Sequence, residues 1–207
     1  MIAQTRANFL PDPRFIPMQS SLEEHLRRMG NAISPNNFVS ICNANLLELL
    51  ADSFDRIGAD EGSIWLLDEA KKTLVVAYNS GPNAAQIVGF KQPLNQGIVS
   101  LVVATEQAFV ENQIYKNSKY SPRLDQKLRS RTYAMIAVPF YFVSQIRGVI
   151  SCVQLIDVVG ETETALGDNK PTGFQPQQLQ VIQATATLLR DLIDYRLLGT
   201  AVGWNHR

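Results

Sequence analysis

The chain has 207 residues, with Lys+Arg and Asp+Glu balanced at 19 each. That length allows one domain with a sizeable core plus extensions, and the neutral charge favours neither nucleic acid nor a membrane surface as a partner. No apolar run approaches the roughly 18–20 residues that span a bilayer, and the N-terminal stretch MIAQTRANFLPDPRFIPMQ lacks the unbroken apolar core of a secretory signal.

The two cysteines, Cys42 and Cys152, are far apart and in no paired motif. They read as reduced, buried small hydrophobes of a cytoplasmic protein. His25 and His206 lie towards the two ends of the chain, outside the central stretch. A Ser-His-Asp site, a Cys-His site or a His-ligated metal is therefore not expected.

In chain order, residues 1–20 carry Pro11, Pro13 and Pro17 and are expected to form an extended arm, followed by a short helix over 21–30 that ends at Gly30. Ser34-Pro35 resembles an N-cap and first helical position. A longer helix should follow, with Phe38, Ile41, Cys42, Leu46, Leu49, Leu50, Phe54 and Ile57 on its apolar stripe and Gly58 as its stop. SIWLLD (63–68) and TLVVAYNSG (73–81) make a hairpin, and IVGFKQPL (87–94) a third strand. Asn95 caps a helix with Ile98, Leu101, Val102 and Thr105 inward. AFVEN (108–112) is a strand, and Ser121-Pro122 opens a helix through Arg131 with Leu124 and Leu128 inward.

Residues 133–143 and 148–157 form a long apolar hairpin that turns near Ser144–Arg147, and 158–173 is a polar surface loop. Pro176 opens the last helix, which has two stripes. One is Leu179, Ile182, Ala186, Leu189 and Ile193, and the other is Val181, Leu188, Leu192 and Tyr195. A helix apolar on two sides has its own sheet and a second surface to bury against. With hairpins dominant, the sum is an α+β domain with a mostly antiparallel sheet of five or six strands.

The ordered set SIWLLD, NQGIVSLVVATEQAFVEN, a short helix, MIAVPF, GVISCVQLID and a long C-terminal helix resembles the GAF domain over residues 36–198, leaving 1–35 as an extension and 199–207 as a tail. The resemblance implies a regulatory module. Terminal helices would lie on one sheet face and continue into a homodimer bundle, and a small-molecule pocket capped by short helices would lie on the other. It places Ser63, Thr132 and Gln154 at that pocket and gives Asp68 a structural role. Cyclic-nucleotide-binding members carry an Asn-Lys pair, a Phe and an Asp-Glu pair; here those positions hold Asp157-Val158, Phe174 and Gln178-Leu179, so only the Phe matches. Pigment-binding, sulfoxide-reducing and haem-binding members need pocket Cys or His residues that this stretch lacks, and no cofactor is expected.

The segment 116–131 holds Lys116, Lys119, Arg123, Lys127, Arg129 and Arg131, with Asp125 its only acid; Arg123, Lys127 and Arg131 fall four apart, on one expected helical face. If it closes the pocket, then Arg123 and the free N–H groups of the helix starting at Gly97-Ile98 would suit an anionic ligand; the alternative is a solvated charged face. Tyr115, Tyr120 and Tyr133 either stack on a flat ligand or pack half-buried. Asn112 either contacts a ligand or shapes a turn.

Gln154 poses the sharpest question. On the strand RGVISCVQLID it shares a face with Ile150, Cys152 and Ile156, opposite Val149, Ser151, Val153 and Leu155. A buried amide must find either a ligand or a protein partner. No nucleophile–base pair, metal cluster or phosphate loop suggests an enzyme. The remaining readings are a ligand-binding regulatory module and a ligand-free dimerisation or interaction module. A chain of this length leaves no room for an output domain, so the output is expected in another chain or domain, through a signalling partner.

Overall fold

The computed structural model describes residues 13–156 and 171–204. Its elements are α1 (Ile16–Ala32), α2 (Phe38–Ile41), α3 (Ala44–Arg56), β1 (Glu61–Leu67), β2 (Thr73–Asn79), α4 (Ala84–Ile87), β3 (Lys91–Pro93), α5 (Gly97–Thr105), β4 (Phe109–Asn112), α6 (Arg123–Leu128), β5 (Arg131–Phe142), β6 (Gln145–Ile156) and α7 (Pro176–Ala201). A single 3-10 turn, Ile114–Lys116, follows β4. The six strands form one sheet in the order β3-β2-β1-β6-β5-β4, antiparallel at every pairing.

Alternation divides each strand between two cores. On one face Ile64, Leu66, Ile136, Val138, Ile150 and Cys152 pack against Leu50 and Phe54 of α3 and Ile182, Leu189 and Ile193 of α7. On the other face Trp65, Leu74, Met135, Ala137 and Val149 pack under Ile98, Val99 and Val102 of α5. The terminal helices and the short capping helices thus lie on opposite faces of an α+β domain.

Several boundaries differ from the sequence reading, each for a local reason. The helix expected over 21–30 begins at Ile16, because Pro17 takes a first-turn position where its missing N–H costs nothing. The single helix expected from Pro35 to Ile57 is two. Cys42 is extended, and the Asn43 side chain caps α3 by accepting from the Leu46 N–H at 2.8 Å. Residues 84–87 are helical, and the strand expected over 87–94 shrinks to β3. Gln96, not Asn95, precedes α5. The β5–β6 hairpin turns on Val143 and Ser144, both left-handed (φ 50° and 55°), as a two-residue turn of a right-twisted hairpin demands. The loop expected over 158–173 lies outside the described residues up to 170, as do the start of the expected arm and the last three residues.

A set of side-chain amides ties the start of α7 to the rest of the domain. Asn112 accepts from the Phe174 N–H (2.8 Å) and donates to the Phe174 carbonyl (3.2 Å). Gln154 accepts from the Gly173 N–H and donates to the Gly58 carbonyl, both at 2.9 Å. Gln178 donates to the Ile57 carbonyl at 2.6 Å and accepts from the Gln175 N–H at 2.6 Å. Two carbonyls beyond the C-terminal end of α3 thereby find donors on β6 and α7. Gly173 is left-handed (φ 77°), and a β-carbon there would lie 2.6 Å from the Asn112 side chain, so this position requires glycine.

Candidate functional site

Glu61, Ser63 and Trp65 alternate along β1 and face away from the terminal helices, as do Ser151, Val153 and Leu155 on β6. With α5 and α6 over them they enclose a cavity of about 60 Å³. A wider groove of about 540 Å³, open to solvent, runs along the start of α5 past Ser118, Lys119, Pro122 and Arg123. Gly97, Tyr120 and Ser121 line both spaces and form the wall between them.

The cavity is polar where it meets the sheet. Asn79 donates to Ser63 Oγ (2.9 Å) and to Glu61 Oε2 (3.3 Å). Trp65 Nε1 donates to Ser151 Oγ at 2.9 Å. Asp125 accepts from the Thr132 N–H and hydroxyl, both at 2.8 Å. These two bonds, with a left-handed Arg129, turn the chain out of α6 and into β5. Among the described residues, two of the lining side chains carry a buried polar atom without a partner: Glu61 (Oε1) and Ser130 (Oγ). An unmade buried hydrogen bond costs about 1–3 kcal/mol, so both atoms are places where a bound group gains.

Burial pushes the Glu61 carboxyl above its ordinary range; the Asn79 hydrogen bond opposes this, and the charges of Asp60 and Asp125 add to it. Burial, then the nearby Asp125 charge, pushes the Tyr120 phenol up. Among the described residues, the cavity lining includes two carboxylates and no Lys, Arg or His.

Ser63, Gly97, Ile98, Tyr120 and Thr132 come together around the cavity, and Arg123 lines the groove. The other candidates are elsewhere. Gln154 lies on the helix-packed face, its amide satisfied by Gly58 and Gly173. Asn112 holds Phe174, itself buried on that same face. Tyr115 and Tyr133 also pack on that face, their ring centroids 6.3 Å apart.

The basic column expected at Arg123, Lys127 and Arg131 does not form, because α6 ends at Leu128. Arg131 stacks over the Tyr115 ring, and Lys127 donates to the Gln86 carbonyl. Among the described residues, basic side chains therefore flank the groove and do not line the cavity. Cys42 and Cys152 are buried on the helix-packed face, where burial pushes both thiols up, Cys42 to about 11. The sequence reading missed Glu61 and Ser130. The signal for Glu61 was its two-residue spacing from Ser63, which puts both on one face of a strand.

An antiparallel sheet with terminal helices on one face and a capped polar cavity on the other defines the class of α+β domain. The chain belongs to the GAF domain family: the family model described as the GAF domain matches residues 44–194. That family is regulatory and sensory.

Solved structures share the fold. The GAF domain of an Acinetobacter phosphoenolpyruvate-protein phosphotransferase is 19% identical, covering 90% of this chain and 97% of its own, with a TM-score of 0.56. The corresponding domain from Coxiella burnetii is 17% identical, covering 89% and 95%, with a TM-score of 0.57. A free methionine-R-sulfoxide reductase from Neisseria meningitidis, in complex with its substrate, is 14% identical, covering 94% and 96%, with a TM-score of 0.55. A comparison with curated protein sequences finds no match. Among the described residues, no helix is long and apolar enough to cross a membrane, and no group of three or more His, Cys, Asp or Glu residues could hold a metal ion.

Proposed function

We propose that this GAF domain, taken as residues 36–198, is a cytoplasmic small-molecule sensor, regulatory rather than catalytic, that signals through its terminal helices. The observation that carries this reading is the enclosed cavity under α5 and α6, with buried acceptors left unpartnered on its wall. A ligand there shifts the domain only if it binds two states with different affinity. One layer of sheet separates the cavity from α3 and α7. Native mass spectrometry of freshly purified protein tests the reading. A reproducible extra small mass supports it, and a clean apo species that no small-molecule panel stabilises against heat refutes it.

A second observation favours dimerisation by the same domain. Val181, Leu188, Leu192, Tyr195 and Leu198 of α7 are exposed, with Leu49 of α3 also exposed beside Leu192. Val181, Leu188, Leu192 and Tyr195 are the second stripe of the two-sided helix, and a homodimer through α7 and α3 would bury it. Sedimentation velocity of Leu188→Glu and Leu192→Glu should show a monomer where the parent is a dimer. A parent that is monomeric, or variants that stay dimeric, would remove this interface. The output then lies with a partner protein or another domain that reads the helices.

A further inference from the structure

We propose that the enclosed cavity receives a cationic hydrogen-bond donor, a primary ammonium group, with Glu61 and Ser130 as its acceptors. The inference rests on the small-molecule reading above and names the chemistry of the ligand.

The first argument is charge. Among the described residues, Glu61 and Asp125 line the cavity and no basic side chain does. A carboxylate or phosphate entering it would meet two acids without a counter-charge, so anions are disfavoured and cations favoured.

The second argument is an account of donors and acceptors. Both Asp125 oxygens are taken by Thr132. The Trp65 N–H is taken by Ser151, and Asn79 serves Glu61 Oε2 and Ser63. Among the described residues, the lining side chains with a buried polar atom left unpartnered are Glu61 (Oε1) and Ser130 (Oγ). Glu61 is only 5% exposed. A carboxylate oxygen can only accept, and an ammonium is three donors with no acceptor. The vacant chemistry and the proposed group are complementary.

The third argument is size. Sites that enclose a drug-sized molecule run to about 300–1,000 Å³, and this cavity measures about 60 Å³. It fits a head group and not a nucleotide or a flat ring system. The rest of the ligand would pass the wall made by Gly97, Tyr120 and Ser121 into the groove of about 540 Å³. Ser121 and Gly97 are small, and they are where such a passage costs least. Lys119 and Arg123 border that outer space, so any acidic part of the ligand would sit there and not inside.

The test is calorimetric titration of the full chain with n-butylammonium, n-butanol, butyrate and tetramethylammonium at constant ionic strength. n-Butylammonium should bind about tenfold or more tightly than the other three, since butanol lacks the charge, butyrate reverses it and tetramethylammonium has no N–H. Glu61→Gln should remove that advantage, and Ser130→Ala should reduce it. Both variants must keep the parent near-UV circular dichroism. Amide shifts at Ser130, Thr132 and Ser151 in the ¹⁵N spectrum should follow the titration in the parent, which locates the probe without any variant. Butanol or butyrate binding as well as butylammonium would overturn the proposal, as would full retention in a folded Glu61→Gln. If none of the four binds, the ammonium proposal also falls. The sensing reading then stands or falls on the native mass measurement, which does not depend on these probes.

Discussion

Replacing Gln154 by Leu separates a structural amide from a ligand contact. Its side chain is 5% exposed and makes two hydrogen bonds of 2.9 Å, one to the Gly58 carbonyl and one from the Gly173 N–H. Leucine has nearly the same volume but returns neither bond. Gly173 is buried, so its N–H loses its partner without gaining water, at about 1–3 kcal/mol. Gly58 is exposed and its carbonyl can recover part of its loss from solvent, so its share is about 0.5–1 kcal/mol. The total is about 3 kcal/mol, or a fall of about 6–12 °C in Tm for a chain of this size. Urea denaturation followed by circular dichroism measures it, with ammonium binding measured on the same sample. Stability is expected to fall while ligand affinity of the folded fraction stays within twofold. A variant within about 0.5 kcal/mol of the parent would refute the clamp, and one that keeps its stability but loses ligand would put Gln154 back at the binding site.

Three further outcomes follow from single features. The Glu61 carboxyl is held above its ordinary range by burial and by the Asp60 and Asp125 charges, so the fold favours its protonated form. That contribution is fully present below the unfolded value near ~4.3 and is lost as pH rises through the raised folded value. Glu61→Gln should therefore gain stability over the parent as pH rises above the unfolded value, seen as diverging urea midpoints; a difference that does not change with pH would show that Glu61 is not linked to folding, and a converging one would reverse the sign. A β-carbon on Gly148 would lie 1.8 Å from the Trp65 carbonyl oxygen, so Gly148→Ala must part β1 from β6 and should cost about 3 kcal/mol or more, measured by thermal denaturation. Ser144 is exposed and left-handed at φ 55°, so Ser144→Gly should stabilise by about 0.5–1 kcal/mol in the same assay.

Most of the order of strands and helices and the two-striped α7 were legible from periodicity, and the assignment of helices to the two faces from the family resemblance. What was not legible were events decided by one side chain. Asn43 capping α3 is visible only as an Asn before a run that already looked helical. Asp125 ended α6 by binding Thr132, seven residues on, so the basic segment never became one helical face. Charge alone in that segment suggested an anion site. The folded arrangement turns Lys127 and Arg131 outward onto Gln86 and Tyr115 and leaves the acid inside.

Two of the misplaced candidates, Gln154 and Tyr133, trace to the parity of two strands. Alternation correctly groups Gln154 with Ile150, Cys152 and Ile156, but both groups on β6 are apolar, so alternation cannot say which faces the helices. The polar residue that marks the cavity side is Ser151, which receives the Trp65 N–H. On β5 the register shifts between Thr132 and Ala134. Unbroken alternation from Met135 and Ala137, which face the cavity, would place Tyr133 in the cavity and Thr132 among the helices. The bulge exchanges them, because a one-residue slip carries a side chain to the other face. Thr132 turns to Asp125 on the cavity side, and Tyr133 turns to Tyr115 on the helix side. These two adjacent residues are a short covalent path from the cavity wall to the core that holds α3 and α7. Under the proposed sensing role, a ligand bound beside Ser130 would act on that path first, since Ser130 precedes it by two residues.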